Sequence, residues 1–201
     1  NPYYMATGYM STLQALPEPL RSQMLNGDFG AGVKEDPWQA IPTAWIEAAQ
    51  ARWKKLDVKP PMDSIGVDVS RGGDAKTEIA TRHGWWFDEL TELDGHNTVS
   101  GKLVAGQVVM VLRDRAPIHI DVIGVGASPY DALTELKLQT IGVDMRHATP
   151  ATDKSGLMRF INTRAWLVWR MRELLDPEAN NGIALPPCPK LAEELGSYKW
   201  E

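Results

Sequence analysis

Asp68 and Asp121 each stand inside an apolar run with strand-like alternation, Ile65-Gly66-Val67-Asp68-Val69 and Ile118-His119-Ile120-Asp121-Val122. A carboxylate in such a run is costly unless a partner or a cation compensates it. If the two strands are neighbours, the two side chains converge. Hard oxygen donors of this kind suit Mg²⁺ or Mn²⁺, and a pair of such ions about 3.5–4 Å apart stabilises both the attacking and the leaving oxygen of a phosphodiester displacement. Asp74, one tight turn after Asp68, is placed to approach the same site. The same spacing also fits strand-end aspartates that cap loops or pair with Arg71 or Lys76, and the residues alone leave both readings open.

Other chemistries lack their signatures. The chain has no GxxxxGK(S/T) loop, no GxGxxG opening a helix, no HExxH and no GxSxG. Nucleotide motors, dinucleotide-binding enzymes, zincins and serine hydrolases are therefore not indicated. A single cysteine, Cys188, and four histidines exclude a disulfide framework and a multi-cysteine zinc site. Against 26 acidic residues stand 21 lysines and arginines, a formal charge of −5, so any nucleic-acid binding must be local or metal-mediated. The 201 residues are 43% hydrophobic and 23% charged, with no apolar run long enough to span a membrane. A chain this long buries roughly 70% of its extended surface, ample for one core.

The elements that must position the aspartates follow from periodicity. Strands are expected at 64–70, 77–83, 85–91, 117–123 and 141–145, the first three suggesting an antiparallel meander. The second and third strands turn about Gly84. Residues 98–113 fit a helix through Val104, Val108, Val111 and Leu112, although their glycines and valines also suit a strand. A helix is expected from Ser128 as N-cap to about Gln139, and the longest helix from Lys154 to Leu175. Upstream, residues 1–61 read as a helical connector: two short pieces over Leu13–Leu25 broken by Pro17 and Pro19, then a helix after Pro42 ending near Lys54 and Lys55. Asn1 and the final Tyr198-Lys199-Trp200-Glu201 suggest that both ends are cut.

The run Ile65-Gly66-Val67-Asp68-Val69-Ser70-Arg71-Gly72-Gly73-Asp74, followed by Ile118-His119-Ile120-Asp121-Val122-Ile123-Gly124-Val125-Gly126, resembles the nuclease domain of the large terminase subunit of tailed bacteriophages and prophages. Phe160-Ile161-Asn162-Thr163-Arg164-Ala165 and Ile183-Ala184-Leu185-Pro186 with Leu191 match in order. So does Leu16-Pro17-Glu18-Pro19-Leu20-Arg21 with Gly27-Asp28-Phe29, which resembles the segment leaving that family's motor domain. The resemblance implies a ribonuclease H-like (RuvC-type) α/β fold over residues 62–201, with a five-stranded mixed sheet in which the Asp68 and Asp121 strands are adjacent and helices cover both faces. It implies a metal-dependent endonuclease that cuts concatemeric viral DNA. Asp68 matches the first-strand metal ligand, Asp121 the acid ending the fourth strand, and Asp74 an auxiliary acid. The family's third acid lies beyond the final strand, in a motif this chain does not reach. The resemblance further implies Mg²⁺ or Mn²⁺ as cofactor, two ions in the complete domain. Its partners would be double-stranded DNA, an upstream ATPase domain, a small terminase subunit and a portal protein, met in the host cytoplasm.

Arg71, Lys76, Arg159 and Arg164 are the cations offered to DNA phosphates, with Arg170, Arg172 and Lys154 adding positive charge to the last long helix. Arginines of this kind also solvate helix faces. Trp166 and Trp169 read as core residues, and His119 shares the Asp121 side of its strand. Two other readings stay open: a DNA- or portal-docking module without activity, and an actin-like or sugar-kinase-like ATP-binding lobe suggested by Asp68 with Gly72-Gly73.

Overall fold

The computed structural model describes residues 38–70 and 75–199, all within a compact unit spanning Trp38–Glu201. The pieces expected over Leu13–Leu25, and Arg71 to Asp74, lie outside the described residues. The elements in chain order are α1 (Thr43–Arg52), β1 (Ser64–Asp68), β2 (Thr77–His83), β3 (Trp86–Phe87), β4 (Thr91–Leu93), α2 (Gly101–Val111), β5 (Ile118–Asp121), α3 (Ala127–Glu135), β6 (Thr140–Val143), α4 (Thr163–Leu175) and α5 (Pro189–Ser197).

The sheet runs β3-β2-β1-β5-β6, with β4 also on β2. β1 is antiparallel to β2 and parallel to β5, which is parallel to β6, so the sheet is mixed as expected. It has six strands rather than five. Arg82 pairs with Phe87 and Ile79 with Thr91. Three steps along β2 thus face four along its partner. The extra residue is a bulge that splits the expected 85–91 strand into β3 and β4.

Strand alternation sorts the side chains. Ile65 and Val67 of β1, Ile79 of β2, and Ile118 and Ile120 of β5 are buried on one face, under Val104, Ala105 and Val108 of α2 and Leu133 of α3. The ambiguous 98–113 segment is therefore a helix: its buried residues recur at helical spacing, and Ser100 Oγ caps it by accepting from Leu103 N–H at 3.4 Å. A second core joins Ile41, Ile46 and Ala49 to Leu175, Ile183 and Leu185. It is tied to the sheet edge where Phe87 N–H donates to the Ala184 carbonyl at 3.0 Å and Ala184 N–H to the Trp85 carbonyl at 2.8 Å.

Two helices begin elsewhere than expected. α3 starts at Ala127, out of a 3₁₀ turn over Gly124–Gly126, and Ser128 is not its cap. Its C-terminal end is Glu135, because Lys137 takes a positive φ of 56°. The long helix expected from Lys154 starts only at Thr163, where Asn162 Oδ1 accepts from Ala165 N–H at 2.9 Å. Turn chemistry wins over the preceding residues. Asp153 Oδ1 accepts from the N–H groups of Leu157 and Met158, Gly156 adopts a φ of +76°, and a Thr152–Arg159 bridge closes a small hairpin. Phe160 leaves the helix and packs on Trp169 from outside it, with ring centroids 6.2 Å apart.

Candidate active site

The parallel register of β1 and β5 pairs Ile65 with Ile118, Gly66 with His119 and Val67 with Ile120. Asp68 and Asp121 come next on the two strands, side by side on the face opposite the buried isoleucines. Neighbouring strands are about 4.8 Å apart, so the two carboxyls converge at the C-terminal edge of the parallel strands. In open α/β sheets that edge is where ligands bind.

A third acid joins the row. Asp68 pairs with Glu78 of β2, so Glu78, Asp68 and Asp121 lie in succession across three strands. Glu78 was missed from the sequence, although its place in Thr77-Glu78-Ile79-Ala80-Thr81 puts it opposite the buried threonines and isoleucine. Its Oε1 is held by Lys190 Nζ of α5 at 2.6 Å, and that carboxylate raises the lysine's pKa. A fourth acid, Asp144, follows β6 directly beyond Val143, the partner of Asp121. Ile141-Gly142-Val143-Asp144 repeats Ile65-Gly66-Val67-Asp68 in sequence but out of phase, since Ile141 and Val143 pair with His119 and Asp121 on the acidic face. Arg146 grips Asp144 through Nε to Oδ1 and Nη2 to Oδ2, both at 3.2 Å. The Arg146 side chain is what holds the Asp144 carboxyl below its ordinary pKa.

The inner pair is in a different state. Among the described residues neither Asp68 nor Asp121 has an ion-pair partner. Partial burial raises the pKa of Asp68, and the neighbouring charges of Asp121 and Glu78 push it the same way. The Val69 N–H and the more distant Lys190 oppose them. Asp121 Oδ1 accepts from Ile123 N–H at 2.9 Å, so one oxygen caps the following turn as a structural aspartate would. The turn is locked there: a Cβ at Gly126 would stand 1.7 Å from the Asp121 carbonyl oxygen.

His119 lies one pair below Asp121 on the same face, opposite Gly66, and burial with the Arg82 charge lowers its pKa, favouring neutral imidazole. Lys76 is engaged by Glu92. Arg159 sits in the 152–159 hairpin rather than on a helix, and Arg164 is exposed in the first turn of α4. Asp74 and Arg71 fall outside the described residues. Among the described residues no three His, Cys, Asp or Glu side chains are grouped closely enough to hold a metal ion. The pair Asp68 and Asp121 still fits a single divalent cation, because two uncompensated carboxylates that repel each other are relieved by a shared positive charge.

A mixed sheet with an acid-bearing edge between helical layers is the ribonuclease H-like α/β architecture, and that is the fold of this chain. It is similar to the nuclease domain of the large terminase subunit gp2 of bacterial virus Sf6. One such structure shares 18% identity with a TM-score of 0.58, over 81% of this chain and 83% of that chain. A lysine-to-alanine variant with manganese and β-thujaplicinol gives the same values, and one with calcium has a TM-score of 0.57 and covers 84% of its chain. No family model and no curated protein matches the sequence. The similarity at this identity carries the fold.

Proposed function

We propose that the chain is a metal-dependent DNA endonuclease of the viral terminase type, cutting concatemeric phage DNA by two-metal phosphodiester hydrolysis with Mg²⁺ or Mn²⁺. The observation that supports it most is the pairing of Asp68 and Asp121, with no ion-pair partner among the described residues, on adjacent parallel strands of a ribonuclease H-like sheet. Asp68 and Asp121 would hold the ion, with Glu78 beside them and Asp74 as the auxiliary acid of the resemblance. Held by Asp68 and Asp121, a divalent ion would supply polarisation of the phosphoryl oxygen and activation of water. The protein's own part is orientation. Asp121 is fixed by Ile123 N–H and by the Gly126 turn, so its free oxygen is presented from a rigid strand end. Arg164 and Arg159, both exposed and following β6 in the chain, are offered to the DNA backbone; Arg71 and Lys76 stay as the cations expected from the sequence, with Lys76 engaged by Glu92. Double-stranded viral DNA is the proposed substrate. An ATPase domain, small subunit and portal are the proposed partners in the host cytoplasm. Among the described residues no helix is long and apolar enough to cross a membrane.

The test is nicking of supercoiled plasmid in Mn²⁺, Mg²⁺ and EDTA, with Asp121→Asn as control. Cleavage that needs the metal and is lost in the variant supports the reading. Duplex binding in EDTA with no cleavage in Mn²⁺ would instead favour the docking module.

A further inference from the structure

The acidic row repels the phosphates it is proposed to cut, so a nucleic-acid strand arriving there needs a cation at the same sheet edge. Lys76 and Lys190 are committed to Glu92 and Glu78. Arg146 is built differently. It follows β6 by three residues, beyond Val143, the partner of Asp121, and its pKa is raised chiefly by Asp144 with a smaller contribution from the Asp121 charge.

Its geometry is fixed from several sides. Arg146 N–H donates to Asp144 Oδ1 at 2.9 Å, and its Nε and Nη2 grip the same carboxylate at 3.2 Å each. The flanking backbone is pinned to the start of α4: Arg164 N–H donates to the Met145 carbonyl at 3.0 Å and Thr163 N–H to the His147 carbonyl at 2.8 Å. Asp144 is mostly covered, its side chain 16% exposed, whereas that of Arg146 is 70% exposed. A guanidinium has five N–H donors, and Asp144 takes two. The remaining three include the end-on pair of Nη1 and Nη2, the fork that matches two oxygens of a phosphate.

We infer that Arg146 is a phosphate anchor for the DNA strand entering the Asp68 and Asp121 cleft, with Asp144 as its positioning residue and the neighbouring Arg164 reinforcing the charge. The inference rests on the nuclease reading and adds a residue to it. A guanidinium clamped along one side and open at its end meets a phosphodiester without the entropy loss of a free side chain. Lysine cannot reproduce this, since it supplies the charge but not the fork.

The experiment measures binding of a short labelled DNA duplex by fluorescence anisotropy, in EDTA and in Ca²⁺, across a salt series. It compares wild type, Arg146→Ala, Arg146→Lys and Arg113→Ala. Arg113 lies at the opposite end of β5, where its side chain bonds the Met110 and Leu112 carbonyls. Arg146→Ala is expected to weaken binding about tenfold and to flatten the log–log salt slope by about 0.9. Arg146→Lys should keep the slope and recover only part of the affinity, and Arg113→Ala should match wild type. Unaltered affinity and slope in Arg146→Ala, with wild type binding normally, overturn the anchor and leave the nuclease reading standing. Equal losses in Arg146→Ala and Arg113→Ala also overturn it, as a bulk-charge effect. A wild-type chain that does not bind the duplex at all overturns both. Matching thermal unfolding of the variants excludes loss of fold.

Discussion

Replacing Asp68 by asparagine should stabilise the metal-free chain at neutral pH and destroy its response to divalent cations. Asparagine keeps the shape and an oxygen acceptor for the Val69 N–H but removes the charge. The register puts Asp68 beside Asp121 on one side and Glu78 on the other. With paired side chains about 5 Å apart, one unit-charge repulsion is about 1 kcal/mol in water and about 3 kcal/mol at an effective dielectric constant near 20. Lys190 offsets the Glu78 contribution and the strand end is open to water, so a net gain of about 1 kcal/mol is the expected size, or about 2–4 °C in melting temperature. The pH dependence has a fixed sign. Asp68 is raised in the fold above its ordinary 3.8, so below that pH it is protonated in both states and the variant gains nothing. As pH rises through the folded value the wild type alone acquires the repulsion, and the advantage of the variant grows to a plateau near neutrality. Mn²⁺ should then reverse the order, because an ion at a hundred times its dissociation constant stabilises only the wild type, by about 2.7 kcal/mol. Melting curves over pH with and without Mn²⁺ read both effects. A variant that loses stability at pH 7 without metal would show that Asp68 is a structural aspartate and would sink the electrostatic argument.

Lys190→Met removes the cation that shields Glu78, so titration calorimetry should find Mn²⁺ bound several-fold more tightly. Because the lysine side chain is exposed to solvent, stability should change little; unchanged Mn²⁺ affinity would separate Glu78 from the site. Gly126→Ala forces a Cβ into the Asp121 carbonyl, which no side-chain rotation relieves, and urea unfolding should show a loss of more than about 3 kcal/mol or no folded protein. A mild effect there would mean that the turn after β5 shifts freely and does not fix Asp121.

The sheet was legible in the sequence because its inner strands are strongly alternating: Ile65 and Val67, and Ile118 and Ile120, define one buried face and put both aspartates on the other. Adjacency of the two strands followed from the resemblance, and the register bears it out. What was not legible depended on contacts between distant residues. Glu78 lies in a strand whose polar face looks like ordinary solvent exposure until Asp68 is set beside it. Lys190 reaches Glu78 across 112 positions, which no local pattern announces. The long helix was overextended because the apolar residues from Leu157 to Ile161 mimic helical spacing, whereas Asp153 and Gly156 had already committed the backbone to a turn. Leu157 and Ile161 are in fact exposed.

The four acids along the sheet edge divide by how each is neutralised. Glu78 on β2 and Asp144 after β6 are the outer two, and each is met by a cation from another part of the chain or from its own turn, Lys190 and Arg146. The inner two, Asp68 and Asp121, have no such partner among the described residues, and the fold does not let them separate, since their strands are hydrogen-bonded at Val67 and Ile120. Folding therefore concentrates uncompensated negative charge at one point while screening it on both sides. A purely structural row would be relaxed by placing a lysine or arginine between the inner pair, as the outer positions already do. An inner pair with no ion-pair partner among the described residues, Asp121 anchored by one oxygen and Asp68 held above its ordinary pKa, is the arrangement a divalent cation would complete and a phosphodiester would then approach from the Arg146 side.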